Sequence, residues 1–174
     1  MKHRHMLLPI SAVVLISAAT LPASADTTGA TITVTGGALS ITAPADAGNL
    51  GTRANSVLGG TVSGALGQVQ VNDARSAVAG SGWVATGIAT AFTPPTGPAI
   101  AASAVSYAAG TITKVGTATY TANNPGDMTG VVPVVTATGI TGDNSATWNP
   151  TITVAVPGGM AAGVYSATIT ESVS

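Results

Sequence analysis

The sequence predicts an all-β protein, a single antiparallel β-sandwich of the immunoglobulin-like or Greek-key type. Short segments in which apolar residues alternate with hydroxyl-bearing or small ones recur along the chain, as at Ile152, Val154 and Val156. Gly, Pro, Asn and Asp separate these segments at the short spacing that is typical of a sandwich or barrel. No stretch has a convincing helical period, and no internal repeat or change of composition divides residues 26–174.

Residues 1–25 are predicted to be a secretory signal and not part of the fold. A basic head at Lys2–His5 precedes an apolar run at 7–19, and Ala23–Ala25 supplies the small residues of a cleavage site. An uncleaved membrane anchor is the alternative, but the run is shorter than the ~20 apolar residues of a membrane span. We therefore expect an exported chain that begins at Asp26 and is not inserted in the membrane.

The composition excludes several classes of function. Charged residues make up 6% of the chain, against about 25% in an average protein. Of the five Lys and Arg residues two precede Asp26, which leaves three cations against six acids and a net charge of −3. So few cations do not favour binding to nucleic acid or to an anionic membrane. The chain has no cysteine, and both histidines lie in the predicted signal, so we expect no metal and no cofactor.

The first half of the domain is predicted to contain a long loop, a turn and a Trp-bearing strand among shorter strands. Residues 43–49, which include Pro44, are predicted to form the loop. Asn72–Arg75 is predicted to be a turn, because Asn and Asp bond their own backbone and tolerate a left-handed φ. The longer strand spans Trp83–Phe92, and its Gly87 indicates a bulge or a close backbone approach. The shorter strands are predicted at 31–35, 38–42, 55–63 and 67–71.

The second half is predicted to end in a hairpin that Trp148 opens. Its strands are expected at 151–156 and 162–173, on either side of the break at Pro157–Gly159. In the second of them Tyr165, Ala167 and Ile169 are predicted to face the core, opposite an outward row of threonines. Before this hairpin we expect a proline-rich loop at 93–98, turns at 123–127 and 142–144, and strands at 100–108, 111–115, 117–122 and 131–138.

Two blocks of the chain resemble the conserved segments of the WxL domain, a cell-wall-binding family. The first block is Val69–Arg75 leading to Gly82–Ala85, and the second is Trp148–Val173. The resemblance spans about Gly37 to Val173 and is to divergent, stand-alone versions of the domain. It implies an extracellular β-domain that binds peptidoglycan without a covalent bond. Neither site keeps the leucine of the Trp-x-Leu motif, because the third positions are Ala85 and Pro150.

Trp83, Trp148, Asp73 and Arg75 are the candidate ligand-binding residues, and each has a structural interpretation as well. The two indoles either stack on the sugar rings of a glycan or anchor the core, and we favour the core because large aromatic side chains are usually buried. Asp73 and Arg75 either hold a charged group of a peptidoglycan stem peptide or fix the turn before Trp83. We favour the second interpretation, because Asp in a turn usually bonds its own backbone.

The residue types present do not predict catalysis or metal binding. The domain has no His or Cys and no Ser in a nucleophile-elbow context, so we expect no enzyme activity. Asp127, Asp143 and Asn144 offer oxygen ligands, but Ca²⁺ requires roughly 6–8 oxygens and no acidic cluster supplies them.

Two functions remain. The first is noncovalent binding of peptidoglycan or another cell-wall glycan, which the resemblance implies. The alternative is a structural or interaction protein that self-assembles, or pairs with another exported protein, through its sheet faces or edges. The low charge and the Thr-rich strands favour this alternative, because uncharged open edges invite strand addition.

Overall fold

The computed structural model describes residues 29–174, so the predicted signal at 1–25 lies outside the described residues. The chain divides after Val34 into two units. In the first, residues 29–34 contain no helix or strand. In the second, residues 35–174 form eight strands: β1 (Leu39–Thr42), β2 (Gly60–Ala65), β3 (Val69–Ala89), β4 (Val105–Ala108), β5 (Thr113–Ala122), β6 (Val132–Trp148), β7 (Thr151–Val156) and β8 (Ile169–Val173).

The strands form two antiparallel sheets, which confirms the predicted β-sandwich. The larger sheet has the order β1-β3-β6-β5, and β8 also pairs with β3, beyond the end of β1. The smaller sheet has the order β2-β7-β4. The helical content of the described residues is one 3-10 turn at Ala102–Ala104, and no helix there is long and apolar enough to span a membrane.

The core is built from a few large side chains set among many valines and alanines. In β3, Trp83, Ala85 and Ala89 alternate with partly exposed residues, as expected for a strand with one face inside. Gly87 faces inward in the same row, where a Cβ would lie 2.9 Å from Met128 Cε and 3.1 Å from Val134 Cγ1, so side chains and not another backbone approach it closely. The largest fully buried side chains are Trp83, Trp148, Tyr107, Met128, Ile140 and Ile152.

The predicted C-terminal hairpin is wrong. Strand β7 pairs with β2 and β4 in the smaller sheet, whereas β8 pairs with β3 in the larger one. Residues 157–168 cross from one sheet to the other, and Thr93 and Ser166 form an isolated bridge along the way. Alternation identifies a strand and its inner face, but it carries no information on which strand lies beside it.

Two predicted turns lie inside long strands. Asn72–Arg75 is part of the 21-residue β3, and Gly142–Asn144 is part of the 17-residue β6. Their irregular backbone forms bulges. Between the pairs Asp73–Asn144 and Ser81–Ile140, β3 advances by eight residues while β6 advances by only four. Ser76, with φ 53°, lies within this bulged region. The turn-forming residues are therefore used to bend paired strands and not to reverse the chain.

The N-terminal strand predictions also need correction. Residues 31–35 form no strand, and Ile32 and Val34 are 91% and 83% exposed. Strand β1 pairs regularly with β3 only up to Leu39 and Asp73, because β3 loses its regular register beyond Asp73. Residues 55–59 form a loop with a turn at Val57–Leu58, so β2 begins later than predicted, at Gly60.

Candidate functional site

Asp73 and Arg75 form a bidentate ion pair at the bend of β3. Arg75 Nε donates to Asp73 Oδ1 at 2.8 Å, and a terminal guanidinium nitrogen donates to Oδ2 at 2.9 Å. Asp73 is fully buried, and it also accepts the backbone N–H of Arg75 at 3.2 Å. These bonds hold the pKa of Asp73 below its usual value against the opposing effect of burial. Most bonds of the pair thus lie within β3 itself, an arrangement that fixes the bend of this strand.

Asn144 connects this ion pair to Trp83. Its Nδ2 donates to Asp73 Oδ2 at 3.2 Å, and its Oδ1 accepts the indole N–H of Trp83 at 3.1 Å. Tyr120 also donates its hydroxyl to Asn144 Oδ1 at 3.1 Å, and its ring lies 5.6 Å from the Trp83 ring. We call these five residues the Asn144 network. The sequence predicts only a turn at Asn144 and gives no indication of its position at the centre of this network.

A second buried chain of hydrogen bonds contains Trp148. Its indole nitrogen donates to the Tyr107 hydroxyl at 2.6 Å, and that hydroxyl donates to Glu171 Oε1 at 2.7 Å. The other carboxyl oxygen, Oε2, is buried without a hydrogen-bond partner in the described residues. Burial raises the pKa of Glu171, although the Tyr107 hydrogen bond opposes this, and burial also raises the pKa of Tyr107. The chain links β6, β4 and β8, and so joins the two sheets.

Glu171→Gln is expected to flatten the pH dependence of stability above pH 4.5. Because the pKa of Glu171 is raised from 4.5 in the folded protein, folding favours the protonated carboxyl. Stability is then lost as the pH rises from 4.5 through the folded pKa. The measurement is the free energy of unfolding in urea between pH 4 and 8, in wild type and variant.

The test compares how steeply the free energy of unfolding changes with pH in the two proteins. Its absolute value is not compared, because replacing Glu by Gln also changes it by an amount that does not depend on pH. Asp73 and Asp127 have lowered pKa values, so their stabilising contributions are lost as the pH falls below about 5, which is the opposite direction, and they are the same in wild type and variant. Equal slopes in wild type and variant would contradict a raised pKa for Glu171.

Both tryptophans lie in the core. Trp83 and Trp148 are each 2% exposed, and each uses its indole N–H in one of the two buried networks. Neither ring face is available in this structure for stacking on a sugar. The third positions of the two motifs, Ala85 and Pro150, are buried as well.

The described acids are used within the protein. Asp127 Oδ1 accepts the N–H of Thr129 at 2.8 Å, and Asp143 Oδ1 accepts the N–H of Ser76 at 2.9 Å. Asp46 accepts the N–H of Gly48 in the same way. Among residues 29–174, no three His, Cys, Asp or Glu side chains come together as a metal site would require.

An open groove lies beside Trp148, where β5 and β6 meet the start of β3. Its volume is about 510 Å³, and neutral polar side chains with the edge of Trp148 line it. The groove can offer hydroxyl and amide hydrogen bonds but no charge. A smaller groove of about 290 Å³ lies between residues 90–93 and 166–168. The lining residues of the larger groove are Gln68, Thr111, Thr113, Thr147, Trp148 and Asn149.

Comparison with known proteins adds nothing to this geometry. No protein-family model, curated protein or solved structure matches the chain.

Proposed function

We propose that this chain is an exported, noncatalytic cell-surface protein that binds cell-wall glycan, such as peptidoglycan, without a covalent bond. The observation that carries the proposal is the open groove beside Trp148, lined by neutral hydroxyl and amide groups. Gln68, Thr111 and Thr113 are exposed there. Sugar hydroxyls and acetamido groups hydrogen bond to such side chains, and a neutral groove suits the uncharged sugar backbone of a glycan.

The buried motif positions explain how binding can persist without the leucines. The two blocks that resemble the WxL domain contain Trp83 and Trp148, and the missing leucines correspond to Ala85 and Pro150. All four of these residues are buried. A leucine at either third position would therefore occupy core volume, and neither position is among the residues that line the groove.

Co-sedimentation with purified Gram-positive cell walls tests the proposal. We expect saturable retention of the chain from Asp26 and release by denaturant. The double variant Gln68→Leu/Thr111→Val keeps the side-chain volumes but removes hydrogen-bonding groups, so we expect at least about tenfold weaker retention, equivalent to ~1.4 kcal/mol. The matched control is Asn55→Leu/Thr96→Val, which likewise replaces one amide and one hydroxyl side chain at exposed positions outside the groove.

The outcomes separate the groove from other surfaces. Loss of affinity in the groove variant alone would support the proposal. Absence of saturable retention in wild type, or equal retention of the groove variant and the control, would contradict it.

A second candidate function is association through an open sheet edge. Strand β5 lies at the end of the larger sheet, and no strand of residues 29–174 pairs with its outer edge. Its ten residues carry one charge, that of Lys114. A long, nearly uncharged edge leaves backbone N–H and C=O groups available to another chain, which favours a structural or interaction role with a second copy or another surface protein.

A further inference from the structure

Residues 31–35 have the sequence of a strand but form none in their own chain. Thr31, Thr33 and Thr35 alternate with Ile32 and Val34, a pattern that fits a sheet with one apolar face. Ile32 and Val34 are 91% and 83% exposed, and no ladder includes the segment. Exposed β-branched residues in alternation are what an added strand requires.

The outer edge of β5 offers a matching place for such a strand. From Thr117 to Ala122, threonines alternate with Ala118, Tyr120 and Ala122, which are half-buried. The register irregularities beside this half of β5 arise from additional residues in β6, so β5 itself runs regularly from Thr117. The first half is less suitable, because it contains Lys114 and Gly116, whose φ is +87°.

The other edges are shorter or covered. In the smaller sheet the outer edge of β4 is covered, because Tyr107 N–H donates to Pro125 O and Ala109 N–H donates to Asn124 Oδ1, both at 2.9 Å. At the far side of the larger sheet, β1 and β8 have only four and five residues. The outer edge of β2, with six residues, is flanked by residues 50–53, because a Cβ at Gly64 would meet Leu50 and Arg53 donates to Gly59 O at 2.6 Å. Strand β5 therefore offers the longest regular edge that is open among residues 29–174.

We infer that residues 31–35 of one copy add as a strand to the Thr117–Ala122 edge of a second copy. In this pairing Ile32 and Val34 lie on the inner face beside Ala118, Tyr120 and Ala122, and cover apolar surface that is half-exposed in the monomer. The threonines of both strands share the outer face, where hydroxyl pairs are favourable. The inference rests on the second candidate function, association through a sheet edge, and is independent of glycan binding.

Disulfide cross-linking tests the pairing directly, because the natural chain contains no cysteine. Thr33→Cys in one batch is mixed with Thr117→Cys, Thr119→Cys or Thr121→Cys in another, in the chain from Asp26. These three threonines are the outer-face residues of the Thr117–Ala122 edge, so we expect one of them to lie opposite Thr33. Directly opposed residues of paired strands lie within disulfide reach. The matched control mixes Thr33→Cys with Thr61→Cys, an exposed threonine on β2.

We expect mixed disulfides to form at least tenfold faster with one of the β5 positions than with Thr61. Rates equal to the Thr61 control at all three β5 positions would overturn the inference. Sedimentation velocity of the cysteine-free protein gives a second readout, in which we expect association that increases with concentration. A monomer at every concentration up to the solubility limit would also overturn it.

The variant Ile32→Lys/Val34→Lys is expected to abolish association without affecting folding, because both side chains are exposed in the monomer. Val57→Lys/Leu58→Lys is its control, since these residues are 89% and 95% exposed in a turn far from β5 in sequence. If the Val57→Lys/Leu58→Lys variant also fails to associate, nonspecific apolar contact and not strand addition drives self-association. We expect the Ile32→Lys/Val34→Lys variant to be retained by cell walls as well as the wild type is. The cell-wall assay then tests the glycan proposal alone, and the cross-linking and sedimentation measurements test strand addition alone.

Discussion

Trp83→Ala and Trp148→Ala are each expected to lower the free energy of unfolding by about 3–5 kcal/mol, the usual cost of truncating a buried aromatic side chain. Each ring is 2% exposed, and Trp83 also packs on Tyr120 with a centroid distance of 5.6 Å. Domains of this size are stable by only about 5–15 kcal/mol. Urea denaturation followed by far-UV circular dichroism measures the change.

Trp83→Phe and Trp148→Phe provide the conservative comparison. Phenylalanine keeps most of the ring volume but lacks the indole N–H, so each variant is expected to lose less stability than alanine does. Wall retention of a folded Trp83→Phe variant should match that of the wild type, because Trp148 and not Trp83 is among the residues that line the groove. A Trp→Ala variant with wild-type stability and lost wall retention would show that the ring contacts ligand and is not part of the core.

Asn144→Ala is expected to lower the free energy of unfolding by about 3 kcal/mol. The substitution removes hydrogen bonds to Trp83, Tyr120 and Asp73, and it leaves the buried indole N–H without an acceptor. A buried polar group without a partner costs roughly 1–3 kcal/mol, and the lost volume adds to this. Urea denaturation at pH 7 measures the effect.

Asn123→Ala is the matched control, because Asn123 makes one exposed hydrogen bond, from its Nδ2 to Thr136 Oγ1. We expect a change within about 0.5 kcal/mol for this surface position. Asn144→Asp adds a second test, since it places a carboxylate beside Asp73 and should destabilise the fold more at neutral pH than in acid. Equal effects of Asn123→Ala and Asn144→Ala would show that the Asn144 network contributes little to stability.

Local pattern was sufficient to predict the fold class and most strands. Alternation correctly placed the inner face of β7 at Ile152 and Val154, because period 2 is a property of a single strand. The pairing of β8 with β3 could not be predicted in the same way, since residues 85–89 and 169–173 are far apart in sequence. The short Pro157–Gly159 break suggested a hairpin, but both sheets compete for the final strand.

The candidate site could likewise be predicted only in part, because local contacts are visible in the sequence and contacts between separate strands are not. The Asp73–Arg75 pair is visible in sequence, because two residues apart in an irregular strand can bond each other. The Asn144 network and the Trp148–Tyr107–Glu171 chain join residues from separate strands, and a single sequence contains no signal for that. The Asn, Asp and Gly residues at 72–75 and 142–144 predict chain reversal, whereas in the structure the same residues form the bulges of β3 and β6.

The position of β8 has a consequence for how the chain folds. Strand β3 cannot complete its pairing at residues 85–89 until residues 169–173 are present, and Glu171 also completes the hydrogen bonds of Tyr107 and Trp148. Pairings this distant make folding slow, on the order of milliseconds to seconds. A chain that emerges from its N-terminus therefore keeps an incomplete sheet until residue 173 has appeared. During that interval it stays open to unfolding and to transport as an extended polypeptide.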